Sequence, residues 1–144
     1  MEHLNGETPE FNKLVDAQER LAKLSSRGFL KRTGVNPDKW VILKLSPSGE
    51  DGGYHYRILG GWFGGYLDGD SWRLNSGVES YEFSEDNSTV FFKGWSGSIY
   101  ECRKGAEGMT GLMLQVFDQW VDHYGAEVVQ RVSLEEFLRD FSNE

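Results

Sequence analysis

The stretch from Tyr54 to Arg103 constrains this chain more than any other. It holds twelve of the twenty aromatic residues, interleaved with Gly60, Gly61, Gly64, Gly65, Gly69, Gly77, Gly94 and Gly97. Aromatic and β-branched side chains suit a pleated, half-buried surface, and glycine supplies the turns, bulges and close backbone approaches of a curved sheet. The stretch therefore reads as an antiparallel sheet, with helical patterns on either side to cover it.

Several strands can be delimited within and just before it. Trp40-Val41-Ile42-Leu43-Lys44-Leu45 reads as a mostly buried strand, broken by a polar loop over residues 46–53. Tyr54 to Leu59 alternates, with Tyr54, Tyr56 and Ile58 on one face and His55 and Arg57 on the other. Gly60-Gly61-Trp62-Phe63-Gly64-Gly65-Tyr66 follows, a costly composition because glycine loses the most entropy on folding. It is expected to be either a bent or bulged strand or a backbone platform on which a ligand or partner lies. Asp68-Gly69-Asp70 is turn chemistry. Trp72-Arg73-Leu74 is predicted to kink at Asn75-Ser76-Gly77 and continue to Phe83. Glu85 to Ser88 closes a hairpin into Thr89 to Lys93, and Ser98 to Arg103 returns, which makes a meander.

The flanking patterns are helical. Thr8-Pro9 followed by Phe11, Leu14, Val15, Leu21 and Leu24 predicts an amino-terminal helix, with cations Arg27, Lys31 and Arg32 after its end. From residue 112 to 124, Leu112, Met113, Val116, Phe117, Trp120, Val121 and Tyr124 share one helical face, and Gly125 ends the helix. Residues 127–132 suggest a short extra strand. Ser133-Leu134-Glu135-Glu136 is a capping box that opens a last helix with Phe137, Leu138 and Phe141 inward. The expected architecture is α+β: a flexible tail over residues 1–7, then one domain over 8–144. That domain has a curved antiparallel sheet of about six strands, an amino-terminal helix and two carboxy-terminal helices packed on one face.

Charge and cysteine content narrow the classes of function. The net charge of −8 divides as +2 over residues 1–44, −4 over 45–104 and −6 over 105–144. Nucleic-acid binding is driven by clustered Lys and Arg, so this distribution opposes it and favours a basic protein partner. No apolar run approaches the roughly 18 residues of a membrane span, and the first residues lack a secretory pattern. Cys102 is the only cysteine, so an internal disulfide and a cysteine-rich zinc site are excluded, and a reducing, cytoplasmic setting is expected.

No catalytic or metal motif is present. Asp68 and Asp70 begin like a calcium loop, but Trp72 stands where an oxygen ligand belongs. His3, His55 and His123 have no metal spacing, Ser96-Gly97-Ser98 is not a nucleophile elbow, and no phosphate-binding or dinucleotide loop occurs. No metal or cofactor is therefore expected. The leading expectation is a small non-enzymatic protein that binds another macromolecule, of the acidic inhibitor or immunity type carried by bacteria, phages and mobile elements. Trp62, Tyr66, Asp68, Asp70, Glu85 and Asp86 are its candidate binding residues. One alternative is a small-molecule binder with an aromatic pocket between the sheet and helix 112–124, near Trp62, Tyr66 and Trp95. Another is a hydrolase-type enzyme using His55 with Asp68 or Asp70. An unprotected sheet edge leaves monomer and homodimer both open.

Overall fold

The computed structural model describes residues 34–47, 53–64 and 69–141. The amino-terminal helix expected from Thr8 and the flexible tail lie outside the described residues. Seven strands and two α-helices are present among those described, so the α+β class holds. In chain order they are β1 (Lys39–Leu45), β2 (His55–Trp62), β3 (Ser71–Leu74), β4 (Val78–Phe83), β5 (Thr89–Gly94), β6 (Ile99–Arg103), α1 (Gly111–Tyr124), β7 (Val129–Val132) and α2 (Leu134–Phe141).

The expected single six-stranded sheet is instead two antiparallel sheets, one of order β3-β2-β1-β7 and one of order β4-β5-β6. The reason is visible in β1 and β2. Trp40, Val41, Ile42 and Leu43 are all fully buried, and every residue of β2 is buried. A strand that is apolar at successive positions has two faces to hide, and one layer of helices covers only one of them. On one face, Val41, Leu43, Leu45, Leu59, Trp72, Leu74 and Val129 meet Met113, Val116 and Trp120 of α1. On the other, Trp40, Ile42, Tyr56 and Ile58 meet Val90, Phe92, Tyr100 and Cys102 of the second sheet and Phe137 of α2.

The chain changes sheets at Asn75-Ser76-Gly77, the segment where the sequence suggests a kink. Asn75 is buried and acts as a corner post. Its Oδ1 accepts from the Ile58 amide at 2.8 Å and the Gly77 amide at 3.2 Å, and its carbonyl accepts from Arg57 Nε at 2.7 Å. The side chain thus satisfies a β2 donor just where β3 ends. Gly77 follows with φ 129°, and a β-carbon there would stand 2.8 Å from the Trp95 ring.

The two helices lie on opposite faces of the four-stranded sheet, not on one. β7 effects the exchange. It is an edge strand paired with β1, and alternation sends Val129 to the α1 side while Val132 joins the α2 side. α1 begins at Thr110, whose Oγ1 accepts from the Met113 amide at 3.1 Å. α2 opens on the expected capping box, with Ser133 Oγ accepting from the Glu136 amide at 3.0 Å and Glu136 Oε1 accepting from the Ser133 amide at 3.1 Å. Phe137 then sits among Tyr56, Tyr81, Phe92 and Phe141, with ring centroids 4.8 to 5.6 Å away.

The glycine-rich segment is not bulged where it is described. β2 keeps regular register through it, pairing Gly60 with Trp40 and Gly61 with Lys39 on one side and Gly61 with Trp72 on the other. Gly61 is needed for packing, since a β-carbon would collide with the Met113 side chain at the start of α1. The register irregularity lies instead between Val78 and Ser80 on the outer strand β4.

Trp120 is fully buried whereas Phe117 is only partly so. Trp120→Ala should therefore lower unfolding free energy by about 3 to 5 kcal/mol in urea titration, and Phe117→Ala by less than half of that. Asn75→Ala leaves two buried amides without an acceptor and should cost about 2 to 4 kcal/mol. A loss under about 0.5 kcal/mol would remove the corner-post role.

Candidate functional site

β2 fixes where the candidate residues lie, because His55 stands at one of its ends and Trp62 at the other. Its eight residues span roughly 23 Å at about 3.3 Å per residue. At the first end, His55 is buried and stacks on Trp95, with centroids 6.1 Å apart and planes 27° from parallel. At the other end Trp62 pairs with Ser71, next to Asp70. His55 and Asp70 are thus separated by the length of the strand, well outside hydrogen-bond reach or one bridging water. The same geometry separates Trp95 from Trp62. The space between α1 and the sheet is filled by Met113, Val116, Trp120, Trp72 and Leu74, with Trp72 and Trp120 edge to face at 5.5 Å.

Trp62 is 4 % exposed, and its indole Nε1 donates to the Asn36 carbonyl at 2.9 Å. The aromatic presented to solvent is its neighbour Phe63, 57 % exposed. Two carboxylates hold the backbone beneath that ring. Asp38 Oδ2 accepts from the Phe63 amide at 2.8 Å and Asp70 Oδ1 from the Gly64 amide at 3.3 Å. A β-carbon on Gly64 would strike the Gly69 backbone, so glycine allows the two sides of the loop to close. Tyr66 and Asp68 lie outside the described residues.

Glu85 and Asp86 sit in the β4–β5 turn, both exposed, and at this same end. The connection is continuous. Arg103 Nη2 donates to the Asp38 carbonyl at 3.4 Å, Trp40 Nε1 donates to the Arg103 carbonyl at 2.7 Å, and the Lys104 amide donates to the Ser88 carbonyl at 2.9 Å. Asp86 organises the turn by accepting at one oxygen from Ser84 Oγ at 2.8 Å, Ser88 Oγ at 2.8 Å and the Ser88 amide at 3.0 Å. These bonds, the Ser88 hydroxyl foremost, hold its carboxyl below the ordinary value of 3.8. The Lys104 ammonium at this end lies over the Phe83 ring at 4.7 Å.

Asp38 and Asp70 thus bind the backbone at Phe63 and Gly64, the turn that carries Glu85 and Asp86 is linked to Asp38 through Arg103 and Lys104, and Trp62 is turned inward. Phe63 escaped the sequence reading because Trp62 and Phe63 are adjacent and alternation alone does not say which points out. Asp38 follows Pro37 and belongs to no motif that marks it as an acceptor for the Phe63 amide. Among the described residues, no group of three or more His, Cys, Asp or Glu side chains is placed to hold a metal ion, and no helix is long and apolar enough to cross a membrane. Comparison with protein-family models, with curated proteins and with solved structures found no match.

Asp86 gives a direct check on the turn. Its folded-state pKa is depressed, so its contribution to stability is present above the unfolded value and is lost as pH falls through the folded one. Carboxyl NMR titration should place its midpoint below 3.8, and Ser88→Ala should move that midpoint upward. An unchanged midpoint would show that the Ser88 bonds do not form in solution.

Proposed function

We propose that this protein is a non-enzymatic binding module that engages a basic protein partner through the Phe63 end of the two sheets. The observation that carries the reading is Phe63 itself. It is a large aromatic, 57 % exposed, on a backbone held by the carboxylates of Asp38 and Asp70. An exposed aromatic on a rigid base has the character of an interface anchor, since it loses little conformational entropy on docking. The surrounding carboxylates supply the charge that attracts a basic surface and sets orientation. The acidic excess of the chain, −8 overall, acts in the same sense at longer range. Inhibitor and immunity-type proteins are the class to which this combination belongs most naturally. Asp70, Glu85 and Asp86 are the charged members of the proposed surface, and Trp62 supports it from beneath.

The test is capture of partners by the full chain at about 0.1 M and about 0.5 M salt, followed by affinity measurement for the captured protein. Separated surface charges are largely screened at the higher salt. Phe63→Ser should weaken binding about 30-fold or more, as for an aromatic anchor. Asp70→Asn should slow association and flatten its salt dependence. A partner whose affinity is indifferent to both changes, or no retained partner at either salt, would overturn the reading.

A further inference from the structure

The three-stranded sheet buries one face in the core, and alternate residues of β4, β5 and β6 form the other. Register places Ser80, Lys93 and Ile99 in one row across that outer face, Glu82, Phe91 and Glu101 in the next, and Thr89 and Arg103 in a third. Ile99 is 41 % exposed and Phe91 is half-buried. A groove of about 330 Å³ is lined by Ser80, Tyr81, Glu82, Phe91, Lys93 and Ile99.

Charge says what this face can meet. The chain carries −8 overall, so two copies repel at long range. The solvent side of α1, with Asp118 and Asp122 and no lysine or arginine on the helix, would add to that repulsion. The outer face differs, because around Phe91 and Ile99 it carries Glu79, Glu82 and Glu101 together with Lys93 and Arg103. Neither cation is held in a buried ion pair. Lys93 meets Glu79 at 3.9 Å in an exposed pair of little strength, and Arg103 donates to the Asp38 carbonyl at 3.4 Å. A face with both signs can offer each charge its opposite on a second copy.

The register fixes how two such faces match. Strands lie about 4.8 Å apart and alternate residues about 6.8 Å apart along a strand, so Glu82 and Glu101 flank Phe91 across the sheet while Lys93 follows it along β5. A two-fold axis lying in the face through Phe91, either along or across the strands, sets glutamate against glutamate. An axis turned about 45° to the strands makes the two sheets cross at about 90°. Lys93 of each copy then falls within about 2 Å, in projection, of Glu101 of the other, Phe91 meets Phe91, and Ile99 lies beside Ile99.

We propose that this chain forms a symmetric dimer through the outer face of β4-β5-β6, with the two sheets packed orthogonally and Lys93 of each copy paired with Glu101 of the other. The groove of each copy receives the Phe91 ring of its mate. The face measures roughly 14 Å by 18 Å, less than the roughly 800 Å² per partner of a standard interface. The dimer is therefore weak, and its population depends on concentration. It is independent of the partner surface at the Phe63 end, whose residues it does not use.

Sedimentation equilibrium of the full chain from about 5 µM to about 500 µM covers the range of a weak interface. The weight-average mass should rise from that of the monomer towards twice that value, and the amides of Phe91, Lys93, Ile99 and Glu101 should shift over the same range. Phe91→Thr, which keeps a strand-compatible residue, should weaken association about tenfold or more. Lys93→Glu should also weaken it, and so should Glu101→Lys even though it lowers the net charge, a result that long-range repulsion alone does not give. The chain carrying both charge changes should recover most of the parent's affinity, because each pair is then reversed across the two-fold. These charge variants stay informative if Phe91→Thr does not fold. A constant monomer mass up to about 500 µM would overturn the proposal, as would a dimer indifferent to Phe91→Thr or one that the double charge variant does not restore.

Discussion

Two-sided burial of β1 and β2 is the constraint on which the rest of the structure depends. Trp40 to Leu43 places apolar side chains at four successive positions, so neither face of the central sheet tolerates water. α1 covers one face. The other requires a second layer, supplied by β4-β5-β6 with α2, and the Trp40 indole ties the layers through the Arg103 carbonyl while its ring meets Phe92 at 5.8 Å. The polar corner at Asn75 and the crossing strand β7 follow from this demand: one lets the meander leave the first sheet without stranding a β2 amide, and the other carries the chain from the α1 side to the α2 side.

The same arrangement creates the candidate site. Because His55 begins β2 and Trp62 ends it beside Ser71, the length of the strand separates His55 from Asp70. What accumulates at the Phe63 end comes from three separate connections: the entry to β1 with Asp38, the β2–β3 loop with Asp70, and the β4–β5 turn with Glu85 and Asp86. Asp38 and Asp70 accept from the adjacent amides of Phe63 and Gly64. Both therefore hold the backbone of the exposed Phe63 ring.

Much of the local structure was legible in the residues. The 3.6-residue stripe of α1, the capping box of α2, the two hairpin turns and the strands β1 to β7 all follow from periodicity and turn chemistry, which act over a few neighbouring residues. Asn75-Ser76-Gly77 was legible as a kink. That the kink moves the chain to another sheet was not, because that outcome is decided by Ile58, Arg57 and Trp95, which are distant in sequence from one another or from the corner.

The glycine-rich segment shows the division most clearly. Its composition left two readings open, a bent or bulged strand or a backbone platform, since glycine at that density is otherwise a net loss in folding. Only the tertiary structure decided that the neighbours are Met113 above Gly61 and the Gly69 backbone beside Gly64. It also decided that Trp62 is inside while Phe63 is outside. The sequence by itself determined the α+β class, the strands and two carboxy-terminal helices, and the acidic balance, all properties of short windows or of sums over the chain. Sheet partition, the sides taken by the helices and the meeting of Asp38 and Asp70 at the Phe63–Gly64 backbone depend on which distant surfaces must be buried together, and that is settled only when the whole chain packs.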